Sequence, residues 1–227
     1  MMVALRNAGY QVMGISRQTL HTPDLPAPTE LTEIALDLSQ ADAIQQWLNS
    51  QALKQFLQGA SQALLINNAG QIAPIAPVGH QGANAIASAI ALNVSSALIL
   101  SDAFIAATEN CRQRRILHVS SGAARSAYPG WSVYCASKAA LDHHARAVAA
   151  EKHPNLRISS VAPGVIDTDM QAEIRATHPD LFPMKQKFDD LKRQGLLASP
   201  EQAGDALVRH LLSESFGLQA CEDVRNC

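Results

Sequence analysis

The stretch ALLINNAG, residues 63–70, decides the fold. Its first five residues form a short apolar run, which is typical of a strand buried on both faces in a parallel sheet. The run ends in small residues and a glycine, where a backbone can approach a ligand closely. Similar short runs occur elsewhere in the chain, at 11–16, 33–36, 115–120 and 156–162.

Longer helical segments separate these runs. We expect helices at 41–58, 82–108, 134–152, 170–177, 183–194 and 200–213. Ser199 precedes Pro200 and is the predicted N-cap of the last helix. This alternation of strands and helices is the pattern of βαβ units. It predicts one α/β domain over residues 1–227, built on a doubly wound parallel sheet.

The composition excludes several classes of protein. Lys and Arg number 18 against 20 Asp and Glu, a net charge of −2, so no overall positive field is available to bind a nucleic acid. The N-terminus lacks the apolar core of a secretory signal. Polar residues interrupt the most apolar tract, 83–100, so we expect this tract to form a buried helix rather than a membrane span. Four cysteines without a C-x-x-C pair predict a cytoplasmic protein with reduced thiols. Eight histidines without an H-x-x-x-H pair predict that there is no metal site.

Three of the predicted strands end in turns made of small residues. These turns are NNAG at 67–70, SSG at 120–122 and PGV at 163–165. The carboxyl ends of parallel strands meet at one edge of a sheet, where open α/β sheets bind their ligands. Each turn alone is an ordinary connection, but three at one edge predict a binding site.

Tyr134 and Lys138 are placed to interact on the helix that follows the fourth run. Residues four apart lie on one helix face, and an ammonium beside a phenol favours the phenolate. We therefore expect Lys138 to lower the pKa of Tyr134 from its usual value of about 10. Ser121, at the end of the preceding strand, has a hydroxyl that could steady a carbonyl oxygen. Asn93 lies in an apolar helix, where an amide bonded to a backbone carbonyl is the simpler interpretation.

In combination these motifs resemble the short-chain dehydrogenase/reductase family. The matching pieces, in the family's order, are NNAG at 67–70, ALNVS at 91–95, SSG at 120–122, YCASK at 134–138 and PGVIDT at 163–168. The resemblance implies a Rossmann-like fold and reduction of a ketone by hydride transfer. It makes Tyr134 the proton donor, with Lys138 lowering the pKa of that phenol and bonding the nicotinamide ribose. Ser121 would orient the substrate carbonyl, and Asn93 would position a proton-relay water.

The same resemblance implies how the coenzyme is held. Asp37 and Leu38 would border the adenine. The residues expected to pack near the rest of the adenosine are Asn68, Ala69 and Gly70, and those expected to flank the nicotinamide are Pro163, Gly164, Val165 and Thr168. After the first run, an acidic residue would bind a ribose 2′-hydroxyl and an arginine would accommodate a 2′-phosphate. Arg17 stands there, so we expect NADPH rather than NADH.

Within the family, segments 130–140, 163–171 and 191–202 are similar to those of sepiapterin reductases and bacterial benzil reductases. Asp223 resembles in position the acidic residue with which sepiapterin reductases hold the pterin ring. A carboxylate can accept two hydrogen bonds from an amino-pyrimidine edge, although a frayed carboxylate is the simpler interpretation so near the end of a chain. Trp131 and Met170 would be apolar walls of the substrate pocket, or else part of the core.

The family's opening strand and glycine-rich turn are not found before Arg17. Residues 1–8 are instead predicted as the second half of a helix that ends at Gly9. The family's opening strand belongs in the middle of the sheet, so we expect unpaired strand edges beside its place. We interpret the chain as truncated at its N-terminus, through a misplaced start codon or a real loss.

Three hypotheses of function remain open at this point. The first is an NADPH-dependent carbonyl reductase of the sepiapterin or benzil type, and the second is a short-chain dehydrogenase acting on another alcohol. The third is a non-catalytic Rossmann-like protein that has lost coenzyme binding. The helices at 82–108 and after Tyr134 resemble the pair that forms the family's dimer interface. We expect a homodimer that acts on a small carbonyl compound, with no nucleic-acid or membrane partner.

Overall fold

Short parallel strands form the framework of the computed structural model, which describes residues 1–19 and 30–227. They are β1 (Val12–Ser16), β2 (Leu31–Ala35), β3 (Gln62–Asn67), β4 (Gln113–Val119), β5 (Leu156–Ala162) and β6 (Cys221–Asp223). The five strands predicted from sequence are confirmed, with ends that differ by at most two residues. The short strand β6 was not predicted.

These strands form two parallel sheets. β1 pairs with β2, with Val12 opposite Leu31, and the second sheet has the order β3-β4-β5-β6. Within the described residues no strand lies between β1 and β3, and the unpaired edges predicted there are present. The carboxyl ends of β3, β4 and β5 lie at one edge of the larger sheet, as the α/β fold requires.

Side chains, rather than a hydrogen-bonded ladder, join the two sheets. The Tyr10 hydroxyl before β1 donates to Gln62 Oε1 at the start of β3, at 2.6 Å. Leu64 and Ile66 of β3 belong to one apolar cluster with Leu5 and Val12. Leu64 and Ile66 are partly buried in this cluster, which limits the apolar surface that the two unpaired edges would otherwise expose to water.

Helices cover both sheets. They are α1 (Met2–Asn7), α2 (Ala41–Asn49), α3 (Ala52–Leu57), α4 (Ala83–Ile90), α5 (Ser96–Ala107), α6 (Ser132–Ala150), α7 (Asp169–Ala176), α8 (Lys185–Arg193) and α9 (Pro200–Leu212). The predicted helix 41–58 is wrong as a single element, because Gln51 adopts a left-handed conformation with φ 63° and divides it into α2 and α3. Ser199 caps α9 as predicted, and its hydroxyl accepts from the Gln202 amide at 3.2 Å.

The long apolar helix predicted at 82–108 is present, with a local change of geometry. A π-helical turn, Ala91–Ser95, joins α4 to α5 and contains Asn93. By length and composition alone, the stretch Ala83–Ala107 could span a membrane. A helix in the core of a soluble protein meets the same criteria, and 39% of this apolar window is buried against the rest of the chain.

Candidate active site

Helix α6 brings Tyr134 and Lys138 to the carboxyl end of β4. The helix begins at Ser132, so both side chains lie in its first turns on one face. Tyr134 is 7% exposed and Lys138 is 4% exposed. The Lys138 ammonium lies 5.8 Å from the centre of the Tyr134 ring and donates to the Val119 carbonyl, the last of β4, at 2.8 Å. The predicted pairing on one helix face is confirmed.

Ser121 lies beside Tyr134 at the turn after β4. Its backbone is extended, and its Oγ accepts a hydrogen bond from the Ala123 amide at 3.1 Å. Ser121 also lies close enough to the Tyr134 side chain to act on it, in the direction that lowers the pKa of the phenol. Two hydroxyls, one of a serine and one of a tyrosine, thus converge on one point at the sheet edge.

The expected low pKa of Tyr134 is not found. Burial raises the pKa of the phenol above its ordinary value, because the phenolate loses the solvation of water, and the neighbouring Ser121 side chain offsets only part of this effect. Lys138 does not bring the pKa below the ordinary value. The phenol therefore holds its proton at neutral pH.

Lys138 is itself perturbed by its surroundings. Burial lowers its pKa to about 8, and the negative charge of Asp142, one helical turn further along, acts in the opposite direction. Within the described part of the chain, the Val119 carbonyl is the hydrogen-bond acceptor that the ammonium reaches. An ammonium has three donors, so N–H groups remain available to a ligand.

Asn93 forms a bridge between the π-helical turn and the loop after β3. Its Oδ1 accepts from the Gln71 amide at 2.8 Å, and its Nδ2 donates to the Gln71 carbonyl at 2.8 Å and to Ser137 Oγ at 3.2 Å. The side chain is 1% exposed. The simpler interpretation, an amide satisfied by a backbone carbonyl, is confirmed, while the role in a proton relay stays a prediction.

Gly70 marks the place where these groups meet. A Cβ added there would lie 3.4 Å from Asn93 Oδ1 and 3.6 Å from Lys138 Nζ, so glycine leaves a space beside the buried ammonium. The preceding residues, Asn68 and Ala69, are exposed at the same sheet edge. This edge therefore offers a cradle that a larger residue at position 70 would fill.

Of the residues predicted to hold the adenosine end, Arg17, Asp37 and Leu38 lie at the ends of β1 and β2, whereas Asn68, Ala69 and Gly70 follow β3. Arg17 is exposed directly after β1, and Leu38 is buried. The Ser39 amide donates to Asp37 Oδ1 at 2.9 Å, which lowers the pKa of that carboxyl, and the Ser39 hydroxyl and Arg17 act in the same direction. Arg17 and Asp37 are thus close enough for their charges to interact.

The loop after β5 carries the residues predicted to flank the nicotinamide. Pro163, Gly164 and Val165 are partly buried, and Thr168 is exposed at the start of α7. Gly164 has φ +82°, a conformation that favours glycine. The side chain of Arg225 covers this glycine, since a Cβ added there would lie 3.4 Å from Arg225 Cδ.

Asp223 is ordered within the fold rather than frayed. It ends β6, where it lies opposite Ala162 of β5, and its side chain is 16% exposed. Its Oδ1 accepts from Arg225 Nε at 2.8 Å and its Oδ2 from Arg225 Nη2 at 2.6 Å, which lowers the pKa of the carboxyl. The carboxylate that would anchor a pterin already has a two-point partner in this chain.

Trp131 belongs to a buried aromatic cluster that includes Tyr134. Its ring stacks on Phe182 at 4.5 Å between centres and meets the edge of Tyr134 at 5.7 Å. Trp131 is 4% exposed, and its indole N–H has no hydrogen-bond partner in the described residues. Met170 packs against the same cluster. Trp131 has two interpretations, as part of the core or as a wall of the substrate pocket, and its packing favours the core. A contact of Trp131 with substrate stays a prediction.

Two other features of the described residues are separate from these motifs. One group of possible metal ligands, His210, Glu222 and Cys227, lies near the C-terminus. His210 Nε2 and Glu222 Oε2 are 2.9 Å apart and bond each other, and the absence of a metal stays a prediction. A surface hollow lined by Leu57 and Cys111 lies at the amino ends of β3 and β4, the edge opposite the catalytic residues.

The polar partners that support the site are not predicted from the sequence. Asp142 has a visible signal, because it follows Tyr134 and Lys138 at intervals of four on the same helix. Arg125, which bonds Asp142, and Gln71, whose backbone holds Asn93, have no signal of this kind. Their roles depend on contacts between elements that are distant in the sequence.

Comparison with known proteins agrees with this geometry. Residues 3–179 match the family described as short chain dehydrogenase. A benzil reductase ((S)-benzoin forming) from Bacillus cereus is 36% identical over 156 residues, which is 67% of this chain but only 63% of that protein. A sepiapterin reductase from Bos taurus is 30% identical over 192 residues, 82% of this chain and 70% of that protein. The crystal structure of a short-chain dehydrogenase/reductase from Burkholderia vietnamiensis is 43% identical, with a TM-score of 0.68 over 98% of this chain and 88% of that one.

Proposed function

This chain belongs to the short-chain dehydrogenase family, and we propose that it is an NADPH-dependent reductase that converts a ketone or diketone into an alcohol. The observation that carries this proposal is the convergence of Ser121, Tyr134 and Lys138 at the carboxyl edge of the larger sheet. That edge is where α/β sheets bind ligands. Its relatives include reductases of benzil and of sepiapterin, both of which act on carbonyl groups.

The side chains supply the proton half of the reaction. When bound, the reduced coenzyme supplies a hydride to the carbonyl carbon. The Tyr134 hydroxyl transfers its proton to the carbonyl oxygen, so that one hydride and one proton convert C=O into an alcohol. Ser121 donates a hydrogen bond to the same oxygen and orients it. The raised pKa of Tyr134 keeps the proton in place before the substrate is reduced.

The described residues fit the nicotinamide ribose and the adenosine of a nicotinamide coenzyme better than they fit its pyrophosphate. The free donors of Lys138 and the space at Gly70 suit a ribose hydroxyl. Arg17 and Asp37 suit the adenosine end. The described residues contain no glycine-rich turn before β1, so they offer no counterpart of the usual pyrophosphate cradle. We therefore expect weak binding of the coenzyme by residues 1–227 alone.

The preference for NADPH rests on Arg17. We expect Arg17→Ala to raise the KM for NADPH several-fold and to leave the KM for NADH nearly unchanged. The arginine would pair with the 2′-phosphate, which NADPH carries and NADH lacks. Arg112→Ala is the matched control, since Arg112 is exposed at the opposite edge of the sheet. A lower KM for NADH than for NADPH in the unchanged protein would overturn the assignment.

The substrate is proposed to be a dicarbonyl or a pterin that approaches Tyr134 from the side of β6. For a pterin, Asp223 has to exchange Arg225 for the amino-pyrimidine edge, or to bind it beside Arg225. Asp223→Ala should then raise the KM for a pterin far more than that for benzil. Equal effects on both substrates would contradict a pterin-specific site.

The central experiment is an assay of coenzyme oxidation with benzil, sepiapterin and a simple ketone, each with NADPH and with NADH. We expect the diketone or the pterin to be reduced fastest, and Tyr134→Phe to slow the reaction by about 10²–10⁴-fold. Activity only with another alcohol or ketone would favour the second hypothesis, a short-chain dehydrogenase that acts on a different substrate. No reaction with any pair, also after N-terminal extension, would support the third hypothesis, a non-catalytic protein.

We also propose that the protein is a cytoplasmic homodimer. In the most apolar window of the stretch Ala83–Ala107, 39% is buried within one chain, and Ile86, near the start of the stretch, is 36% exposed, which leaves apolar surface for a second copy. Light scattering should give twice the mass of the chain. A monomer at micromolar concentration would contradict the proposed dimer, and cell fractionation would test the compartment.

A further inference from the structure

The Asp142 carboxylate is a buried negative charge that the reaction described above does not use. Asp142 is 2% exposed and lies on α6 one turn beyond Lys138 and two turns beyond Tyr134. The three side chains therefore follow one face of the helix toward the sheet. A carboxylate is rarely buried to this extent unless it is paired and hydrogen-bonded.

Both oxygens of Asp142 are bonded by groups from different elements. Oδ1 accepts from the Ser120 hydroxyl at 2.7 Å and from the Ser160 hydroxyl at 2.8 Å. Oδ2 accepts from Arg125 Nε at 2.9 Å. Ser120 immediately precedes Ser121, and Ser160 lies in β5 just before the loop with Gly164. One carboxylate thus ties the catalytic helix to the ends of β4 and β5.

Arg125 extends the connection to β6. Its Nη1 donates to the Glu222 carbonyl at 3.1 Å, and its Nη2 donates to the Ser160 carbonyl at 3.3 Å. Glu222 directly precedes Asp223, and the positive charge of Arg125 also acts on the Asp223 carboxyl. The catalytic helix and the proposed substrate segment are therefore linked through the Asp142–Arg125 pair.

Asp142 also acts on the charge of Lys138. Burial favours the neutral amine, whereas the carboxylate one turn away favours the ammonium, so the two effects on the pKa of Lys138 oppose each other. Among the described residues, Arg125 bonds the Asp142 carboxylate, the Cys221 thiol donates to the Asp142 backbone carbonyl, and His118 lies close enough to Lys138 for their charges to interact. A positive charge on Arg125 or on His118 would favour the neutral amine. Asp142 thus supplies the negative charge.

From these contacts we propose that Asp142 is a positioning residue, which keeps Lys138 charged and, through Arg125, holds the catalytic helix in register with the substrate segment of β6. This inference deepens the proposed carbonyl reductase and rests on it for its effect on turnover. The charge of Lys138 and the contacts of Asp142 can be measured whether or not a substrate is known.

The decisive measurement is the titration of Lys138 by NMR. The chain has six lysines, and the ε-methylene signals of a ¹³C-lysine sample can be followed against pH, with the signal of Lys138 identified by its loss in Lys138→Arg. Asp142→Asn keeps an oxygen that can accept from Ser120 and Ser160 but removes the charge. We expect the midpoint of Lys138 to fall by about one pH unit in this variant. An unchanged midpoint would overturn the proposal.

Three further variants separate charge from structure. Asp142→Asn combined with Arg125→Gln removes both charges and leaves two amides that can hydrogen-bond each other. This double variant can be used if the single variant does not fold, and the midpoint of Lys138 should fall in it too. Arg125→Ala retains the carboxylate and should not lower the midpoint. Ser159→Ala is the matched control, because Ser159 also donates to a carboxylate, Glu222 Oε2, from the neighbouring position of β5. It should lower the melting temperature without moving the midpoint.

Kinetics then test the link to β6. If the protein reduces a carbonyl compound, Asp142→Asn should move the alkaline limb of kcat to lower pH, and Arg125→Ala should raise KM several-fold with less effect on kcat. A change in melting temperature, with no change in the alkaline limb of kcat or in KM, would mean that Asp142 only stabilises the fold. If the unchanged protein reduces none of the compounds tested, the proposed function fails, while the NMR titration still decides the role of Asp142.

Discussion

A chain of polar side chains inside the molecule makes the stability of the fold sensitive to acid. Asn67 Nδ2 lies 3.1 Å from His118 Nδ1, and His118 Nε2 lies 3.0 Å from His144 Nδ1. Because the Asn67 amide nitrogen donates, His118 Nδ1 accepts, and His118 Nε2 carries the proton that it donates to His144. His118 is 0% exposed, so a second proton on its ring would have neither water nor an acceptor.

The size of the effect follows from the pKa of His118. Burial lowers it from 6.5 to about 3, and the positive charges of His144 and Lys138 add to the effect. A histidine with a depressed pKa in the folded state stabilises the protein above pH 6.5, and this stability is lost as the pH falls from 6.5 toward 3. At pH 5 the unfolded histidine is protonated and the folded one is not, which costs about 2 kcal/mol of the free energy of unfolding.

Urea unfolding at pH 7, 6 and 5 measures this loss. His118→Gln keeps an acceptor for Asn67 and a donor for His144 but cannot be protonated. We expect the unchanged protein to lose about 2 kcal/mol more than this variant between pH 7 and pH 5. His143→Gln is the control, since His143 is exposed on α6 beside His144 and this variant should leave the pH dependence unchanged. Equal losses in the unchanged protein and His118→Gln would refute the reasoning.

Other predictions concern single side chains. Tyr134→Phe should lower kcat for carbonyl reduction by about 10²–10⁴-fold, because the proton donor is lost, while circular dichroism stays unchanged. Phe182→Ala should lower the free energy of unfolding by about 3–5 kcal/mol, since the ring is 0% exposed and stacks on Trp131; a loss below about 1 kcal/mol would contradict the packing. Ser199→Ala should cost about 1 kcal/mol in chemical denaturation by breaking the capping box with Gln202, and Ser199→Asp should restore most of it.

Local patterns account for what the sequence predicts well. The run 156–162 is apolar and short, and it forms β5 with the predicted bounds. Ser199, followed by Pro200, forms the predicted cap of α9. The spacing of Tyr134 and Lys138 places both on one face of α6, because helix geometry alone determines which residues share a face.

Contacts between distant elements account for what the sequence does not predict. The strand β6 has three residues and exists because β5 offers its edge to Cys221 and its neighbours. Asp223 gains Arg225 as a partner, which its neighbourhood in sequence permits but does not require. The spacing of Tyr134 and Lys138 likewise says nothing about burial, so the predicted direction of the Tyr134 pKa shift is wrong.

The direction of that shift bears on the direction of the reaction. A proton donor has to hold its proton before the substrate is reduced, whereas the base in alcohol oxidation has to be ionised first. Because burial raises the pKa of Tyr134 above its ordinary value, the phenol is protonated at neutral pH, as the proposed role of proton donor requires. Since Lys138 has a pKa of about 8, kcat for reduction should stay flat from pH 6 to 7.5 in initial-rate assays. A tenfold fall per pH unit within this range, with the NMR midpoint of Lys138 still near pH 8, would mean that the phenol loses its proton there, and Tyr134 would not be the proton donor proposed for reduction.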